Sequence, residues 1–304
     1  MRKYNLVITT KCNKNCKYCF IENKNQNYEL IDFSKFRNEV NLLGGEPLLH
    51  PELNKIIEEC KTYNIKFNIM TNFLADVSPL KGIDCSVGAS IGHIRNDDEY
   101  NIFISNFKYL QPKLFGLGVV VSNNAEVINL HSKYLKMFYD DTIGLLNNNF
   151  NICLTLQHPT DVSQDNSLDA YLENSWMYIE DIKNIILLTK QYGFNNIILG
   201  CGGIYRCMFK NDEDINFLSN NILRFHHGCD KNSDYPFFLQ NNECYICPPA
   251  KKLWKESFYN FDENYLHGLN EKKKYNKNAP AKCQSCIYYN KSCYGPCLGF
   301  YNKI

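Results

Sequence analysis

Strand-like and helix-like segments alternate along the first two thirds of the chain, and this alternation constrains the fold more than any other feature. Residues 5–10 (NLVITT), 39–43 (EVNLL), 66–70, 83–91, 116–121, 151–157 and 196–199 are short and apolar enough to read as strands. Between them, residues 51–63 place Leu53, Ile56, Ile57 and Cys60 at helical spacing. Segments 99–110, 126–138 and 172–192 read as further helices, the last closed by Gly193. Repeated alternation predicts a parallel sheet with its helices packed on it. The expected fold class is α/β: a partial (β/α)6 barrel of TIM type over residues 1–195, followed by a small cysteine-rich module over 196–304. In barrels of this kind reactive groups sit at the C-terminal ends of the strands. That rule singles out residues 10–19, 44–47, 71–72, Ser90, Ser122 and Asn123.

The module is marked by seven cysteines between Cys229 and Cys297. Residues 236–247 (PFFLQNNECYIC) have the pattern of a hairpin turning at Asn241 and Asn242, two residues that tolerate positive φ. Residues 270–282 are a polar connector. The chain as a whole holds 15 cysteines in 304 residues, an odd number that fits full disulfide pairing poorly. No signal-peptide pattern and no run of about 18 apolar residues is present, so a cytoplasmic protein without a membrane span is expected. In a reducing compartment clustered thiols point to metal. With 33 basic against 32 acidic residues, binding to nucleic acid through bulk charge is excluded. The 41 asparagines reflect a compositional skew, and a single Asn carries little weight.

Cys12, Cys16 and Cys19 stand in TTKCNKNCKYCF, spaced C-x3-C-x2-C on the loop after the first strand. Three thiolates on one short loop can hold three irons of a cubane and leave the fourth open. Zinc ordinarily takes a fourth protein ligand, and three core cysteines gathered by chance are the plainest alternative.

This pattern resembles the signature of the radical S-adenosylmethionine (radical SAM) superfamily, with the aromatic Tyr18 just before the third cysteine. The resemblance continues in NLLGGEPLLHPEL, where Gly44, Gly45, Glu46 and Pro47 match the family's glycine-rich SAM-binding motif after the second strand. It implies a [4Fe–4S] cluster on Cys12, Cys16 and Cys19 that binds SAM at its unique iron. An external one-electron reductant drives cleavage of SAM, and the resulting 5′-deoxyadenosyl radical abstracts hydrogen from substrate. By the same resemblance Tyr18 lies near the adenine, and Gly44 and Gly45 let backbone groups approach the methionine amino group. Glu46 accepts from that ammonium or, alternatively, caps the following helix. Asn72, Ser90, Ser122 and Asn123 lie where family members contact SAM, although Gly92 stands where many relatives carry Asp.

The C-terminal cysteines resemble the SPASM extension, or its abbreviated twitch form, which carries auxiliary [4Fe–4S] clusters. By resemblance Cys229, Cys247 and Cys297 hold one auxiliary cluster, and Cys283, Cys286 and Cys293 hold a second. Each set lacks a fourth cysteine, for which Cys244 and Cys207 are candidates. Cys60 reads as core, and Cys85 and Cys153 as strand residues. Among the histidines, His93 and His158 follow predicted strands and could line the mouth of the site.

The function so implied is oxidative modification of a ribosomally synthesised peptide, by a thioether, carbon–carbon or ether crosslink. Peptide epimerisation and a small-molecule dehydrogenase or cyclase stay open as alternatives, as does a non-enzymatic electron-transfer protein, which has no need of the Gly-Gly-Glu-Pro motif. Cys12 lies close to Met1, so leader recognition is expected from the barrel, the module or a separate protein.

Overall fold

A computed structural model describes residues 3–16, 19, 21, 26, 32–36, 39–110, 114–146, 150–156, 172–173, 175–200, 204–223, 237–245, 247, 254–259, 263–264, 266–268, 270–271 and 280–287. Seven strands run parallel in chain order: β1 (Lys3–Thr9), β2 (Glu39–Gly44), β3 (Lys66–Thr71), β4 (Ser86–Ser90), β5 (Leu114–Val121), β6 (Asn151–Leu156) and β7 (Ile197–Leu199). Helix α1 (Leu53–Thr62) connects β2 to β3, α2 (Asp97–Leu110) β4 to β5, α3 (Ala125–Thr142) β5 to β6 and α4 (Trp176–Gln191) β6 to β7. The α/β expectation holds, and the alternation of the sequence is the alternation of the fold. Among the described residues the sheet ends at β7 on one side.

The other edge is a finding. Strands β8 (Phe237–Gln240), β9 (Glu243–Tyr245) and β10 (Lys255–Ser257) form an antiparallel meander. Its first strand pairs in parallel with β1, Asn5 opposite Phe238 and Leu6 opposite Leu239. The hairpin therefore extends the main sheet. It turns where the sequence placed it, with Asn241 at φ 50° and Asn242 at φ 58°.

Side chains alternate across a strand, so each sheet face can be read from every second residue. One face is apolar throughout: Leu6, Val40, Leu42, Phe67, Ile69, Val87, Ala89, Leu117, Val119, Ile152 and Leu154 are all buried. Helices α1 to α4 cover it with Ile56, Phe103, Phe107, Leu135, Phe138, Ile182 and Ile186, and the Phe107 ring meets Phe138 edge-on at 4.8 Å. The same core takes in Leu239 and Cys244 from the meander. The opposite face carries Asn5, Asn41, Asn68, Ser86, Ser90, Asn151, Cys153 and Thr155, and most of these are half-buried. The sheet thus has an oily back and a polar front, the sidedness of a barrel wall cut open. Helix α5 (Asp212–Asn221) was not expected from the apolar pattern. Its signal lies in its cap: Asn211 accepts from Asp214 N at 2.9 Å ahead of an acidic first turn.

Candidate active site

The C-terminal ends of β1 to β5 converge on one corner, and most of the described residues singled out at strand ends are there. The loop after β1 carries Cys12, Cys16 and Cys19, all half-buried. Two of the sulfurs accept backbone N–H bonds: Cys12 Sγ from Lys14 N and Cys19 Sγ from Ile21 N, each at 3.4 Å. Such bonds favour thiolate, the ligating form. Burial pushes the Cys12 thiol above its ordinary value; the Lys14 N–H opposes that, while the charges of Glu46, Cys16 and Cys19 add to it. Among the described residues no three His, Cys, Asp or Glu side chains are gathered to metal-holding distance. The donor set is nevertheless chemically apt: three soft sulfurs on one loop, close enough to feel one another's charge, fit iron–sulfur ligation.

The Gly-Gly turn after β2 locks this loop in place. Gly45 N donates to Thr9 O at 2.9 Å and Glu46 N to Lys11 O at 2.7 Å. A Cβ on Gly44 would stand 2.5 Å from Thr9 O, and one on Gly45 only 2.4 Å from Lys11 O and 2.6 Å from Thr10 O. The glycines are thus demanded first by the backbone of the cysteine loop itself. Glu46 is fully buried. Its carboxylate accepts from Asn72 N at 2.8 Å and from Leu48 N at 3.2 Å, the latter capping the 3-10 turn Pro47–Leu49. This is the capping role, joined to a tie between the ends of β2 and β3. Burial raises its pKa to about 7 despite these bonds.

Asn72 continues the chain of contacts. Its Nδ2 donates to Asn13 Oδ1 at 2.7 Å and lies 3.9 Å from Cys12 Sγ. Beyond it a cavity of about 470 Å³ opens between the cysteine loop and the ends of β4 and β5, lined by Cys16, His93, Arg95, Ser122, Asn123 and Asn124 among others. His93 is buried, its Nε2 has no partner, and desolvation lowers its pKa to about 3, so the ring is neutral. Ser90 lies at the end of β4, half-buried.

Two supporting arrangements lay outside the sequence expectations. Lys14 of the cysteine loop pairs with Glu99 at 2.6 Å, and Glu99 also accepts from Arg95 N at 2.9 Å. Asp181 of α4 is fully buried; it accepts from Ser122 N at 2.8 Å and meets His131 Nδ1 at 2.9 Å, fixing the end of β5 from below. A charged residue inside the apolar stripe of α4 is the signal that could have exposed it.

Of the C-terminal cysteines, Cys244 is buried in β9, accepts from the Tyr4 hydroxyl, and is pushed up to about 12 by burial. Cys247 and Cys283 are half-buried, and Cys207 and Cys286 are exposed. Cys286 N donates to Cys283 O at 3.0 Å, closing a turn between that pair. Tyr18, Cys229, Cys293, Cys297 and His158 lie outside the described residues.

No family model matches the chain. An uncharacterised protein of Methanocaldococcus jannaschii is 28% identical over 165 residues, 45% of this chain and 57% of that protein. An S-adenosylmethionine-dependent nucleotide dehydratase of a Thermoplasmatales archaeon is 32% identical over 114 residues, 33% of this chain and 41% of the enzyme. A probable GTP 3′,8-cyclase of Methanococcus maripaludis is 36% identical over 85 residues, 24% of this chain and 28% of the enzyme. The chain thus matches between about a quarter and just over half of the length of these curated relatives. In fold it is similar to Streptococcus suis SuiB bound to the precursor peptide SuiA, with a TM-score of 0.63 and 15% identity, covering 98% of this chain and 72% of SuiB. SuiB bound to S-adenosylmethionine is similar as well, at a TM-score of 0.60 and 15% identity, over 99% of this chain and 76% of that one. The three-cysteine loop follows the first strand of the parallel sheet. Among the described residues, no helix is long and apolar enough to cross a membrane.

Proposed function

We propose that this chain is a radical SAM enzyme that cleaves S-adenosylmethionine reductively and uses the product to modify a peptide oxidatively. One juxtaposition carries the reading: the three-thiol loop and the Gly-Gly turn are hydrogen-bonded together beside a cavity at the C-terminal edge of a parallel sheet. Cys12, Cys16 and Cys19 would hold a [4Fe–4S] cluster, and Gly44, Gly45, Asn72, Ser90, Ser122 and Asn123 would frame SAM, with Tyr18 beside the adenine. When bound, the cluster and SAM together supply a one-electron reduction and hydrogen abstraction from carbon. The chain's own task is position and dryness. Glu46 and Asn72 hold the turn and the loop in register, His93 adds a neutral ring to a cavity wall that also carries Arg95, and Asp181 fixes the Ser122 backbone.

The peptide as substrate draws support from the likeness of the fold to SuiB, solved with its precursor peptide. The names of two relatives favour a nucleotide instead, and that is the competing reading. Residues 1–195 would then be the catalytic unit and 196–304 a SPASM- or twitch-like module, built onto the edge of β1. That module would hold one or two auxiliary clusters through cysteines among Cys229, Cys244, Cys247, Cys283, Cys286, Cys293 and Cys297. An external reductant, and a separate leader-recognition protein, would be its partners. Co-expression with a candidate precursor peptide, read by mass spectrometry, tests the reading: loss of two hydrogens from the peptide supports it. An unchanged mass with one deuterium taken up from heavy water points to epimerisation, and turnover of GTP in place of any peptide overturns it.

A further inference from the structure

The polar front of the sheet holds an ordered row of side chains that the site at the strand ends leaves unused. Asn5, Asn41, Asn68 and Ser86 are in register on β1, β2, β3 and β4. Their amides form a directed chain: Asn68 Nδ2 donates to Asn41 Oδ1 at 2.8 Å, and Asn41 Nδ2 donates to Asn5 Oδ1 at 2.8 Å. Asn68 Nδ2 also donates to Glu39 Oε1 at 2.6 Å. A directed chain leaves a donor at one end and an acceptor at the other. Here these are Asn5 Nδ2 and Asn68 Oδ1, with the Ser86 hydroxyl beside the latter, and none of the three has a partner among the described residues. The two ends are two strand spacings apart, about 10 Å.

The geometry points to this row as a floor that reads the backbone amides of an extended peptide substrate, and the inference rests on the function proposed above. The free donor and free acceptor lie about three residues of extended chain apart, at about 3.3 Å per residue, so one peptide can meet both. The four side chains of the row are neutral, and Glu39, which accepts from Asn68 Nδ2, sets a carboxylate rather than a cation against it. A nucleoside triphosphate needs cations to bind its phosphates, whereas neutral amides match neutral amides. The floor is also placed for chemistry. Asn72 and Ser90 lie four residues further along the same two strands, about 13 Å away, and the intervening Gly88 presents no side chain on β4. The abundance of Asn in this chain explains none of this, because register and bond direction do not follow from composition.

Saturation-transfer NMR on the reconstituted, SAM-loaded protein tests the floor, with acetyl-pentaglycine amide as the probe. Transfer to the glycine methylene protons is expected, with affinity about tenfold weaker in Asn41→Leu and in Asn68→Leu, the effect of losing one or two neutral hydrogen bonds. The SAM affinity of the same samples reports that the strand ends are still assembled. If a leucine variant loses it, Asn68→Ser decides, being polar but too short to reach Asn41. No transfer in the parent, transfer unchanged in the variants, or variant-sensitive binding of GTP instead would overturn the proposal. A protein that binds the probe but cleaves no SAM contradicts the proposed function and upholds the floor. One that cleaves SAM and modifies a precursor peptide but does not bind the probe upholds that function and contradicts the floor.

Discussion

At the scale of single residues, the glycine pair shows what a motif does physically. The identity of Gly44 and Gly45 was legible in the sequence, but the reason was not, because it depends on how the β1 loop returns against the β2 turn. Gly45→Ala forces its Cβ to within 2.4 Å of a carbonyl oxygen, so the loop must move. The substitution should cost about 1–3 kcal/mol, as overpacking does. Denaturant unfolding and iron bound per chain should both fall; iron content equal to the parent's would contradict the locking role. Glu46 gives a second test. Its carboxyl is neutral more readily in the folded chain, at about 7, than when unfolded, at 4.5. The folded state therefore binds the extra proton between these values, and stability falls as pH rises through that window. The difference is worth about 3 kcal/mol. Glu46→Gln should remove this slope from metal-free protein, measured by denaturant unfolding across the window; an identical slope in both proteins would contradict it.

At the scale of elements, the seven parallel strands and their helices were legible because apolar spacing reports burial directly. Helix α1 buries Leu53, Ile56, Ile57 and Cys60, the four residues that gave its period, and Gly193 ends α4 at φ 84°. The pairing of β8 with β1 was not legible, since strand neighbours far apart in sequence leave no local trace. Nor was Asp181, whose worth lies in what it touches across two other elements. Asp181→Ala strips the Ser122 amide and His131 of a buried partner. It should cost about 2–4 kcal/mol and weaken SAM binding, because the end of β5 lines the cavity. Asp181→Asn keeps one acceptor and should restore much of the affinity. Calorimetry of SAM binding beside thermal unfolding separates the two effects; unchanged SAM affinity in Asp181→Ala would reduce the residue to a packing role.

At the scale of the whole molecule, a sheet with an apolar back and a polar front gathers the candidate site at one end of its strands. The sequence announced the end, through the three cysteines and the Gly-Gly turn. It announced the polar front only faintly, because an Asn among apolar residues reads as noise until strand register aligns it with others. The auxiliary module would reveal itself in iron and sulfide contents above those of one cubane per chain; four irons would leave the strand-end cluster alone. The central claim is that the loop of Cys12, Cys16 and Cys19 makes this chain a SAM-cleaving enzyme. Its most direct test is 5′-deoxyadenosine, measured by chromatography after anaerobic reconstitution and incubation with SAM and dithionite. The parent should form it, and the variant with all three cysteines changed to Ala should form none. Equal product from both proteins, or none from the parent, would contradict the account.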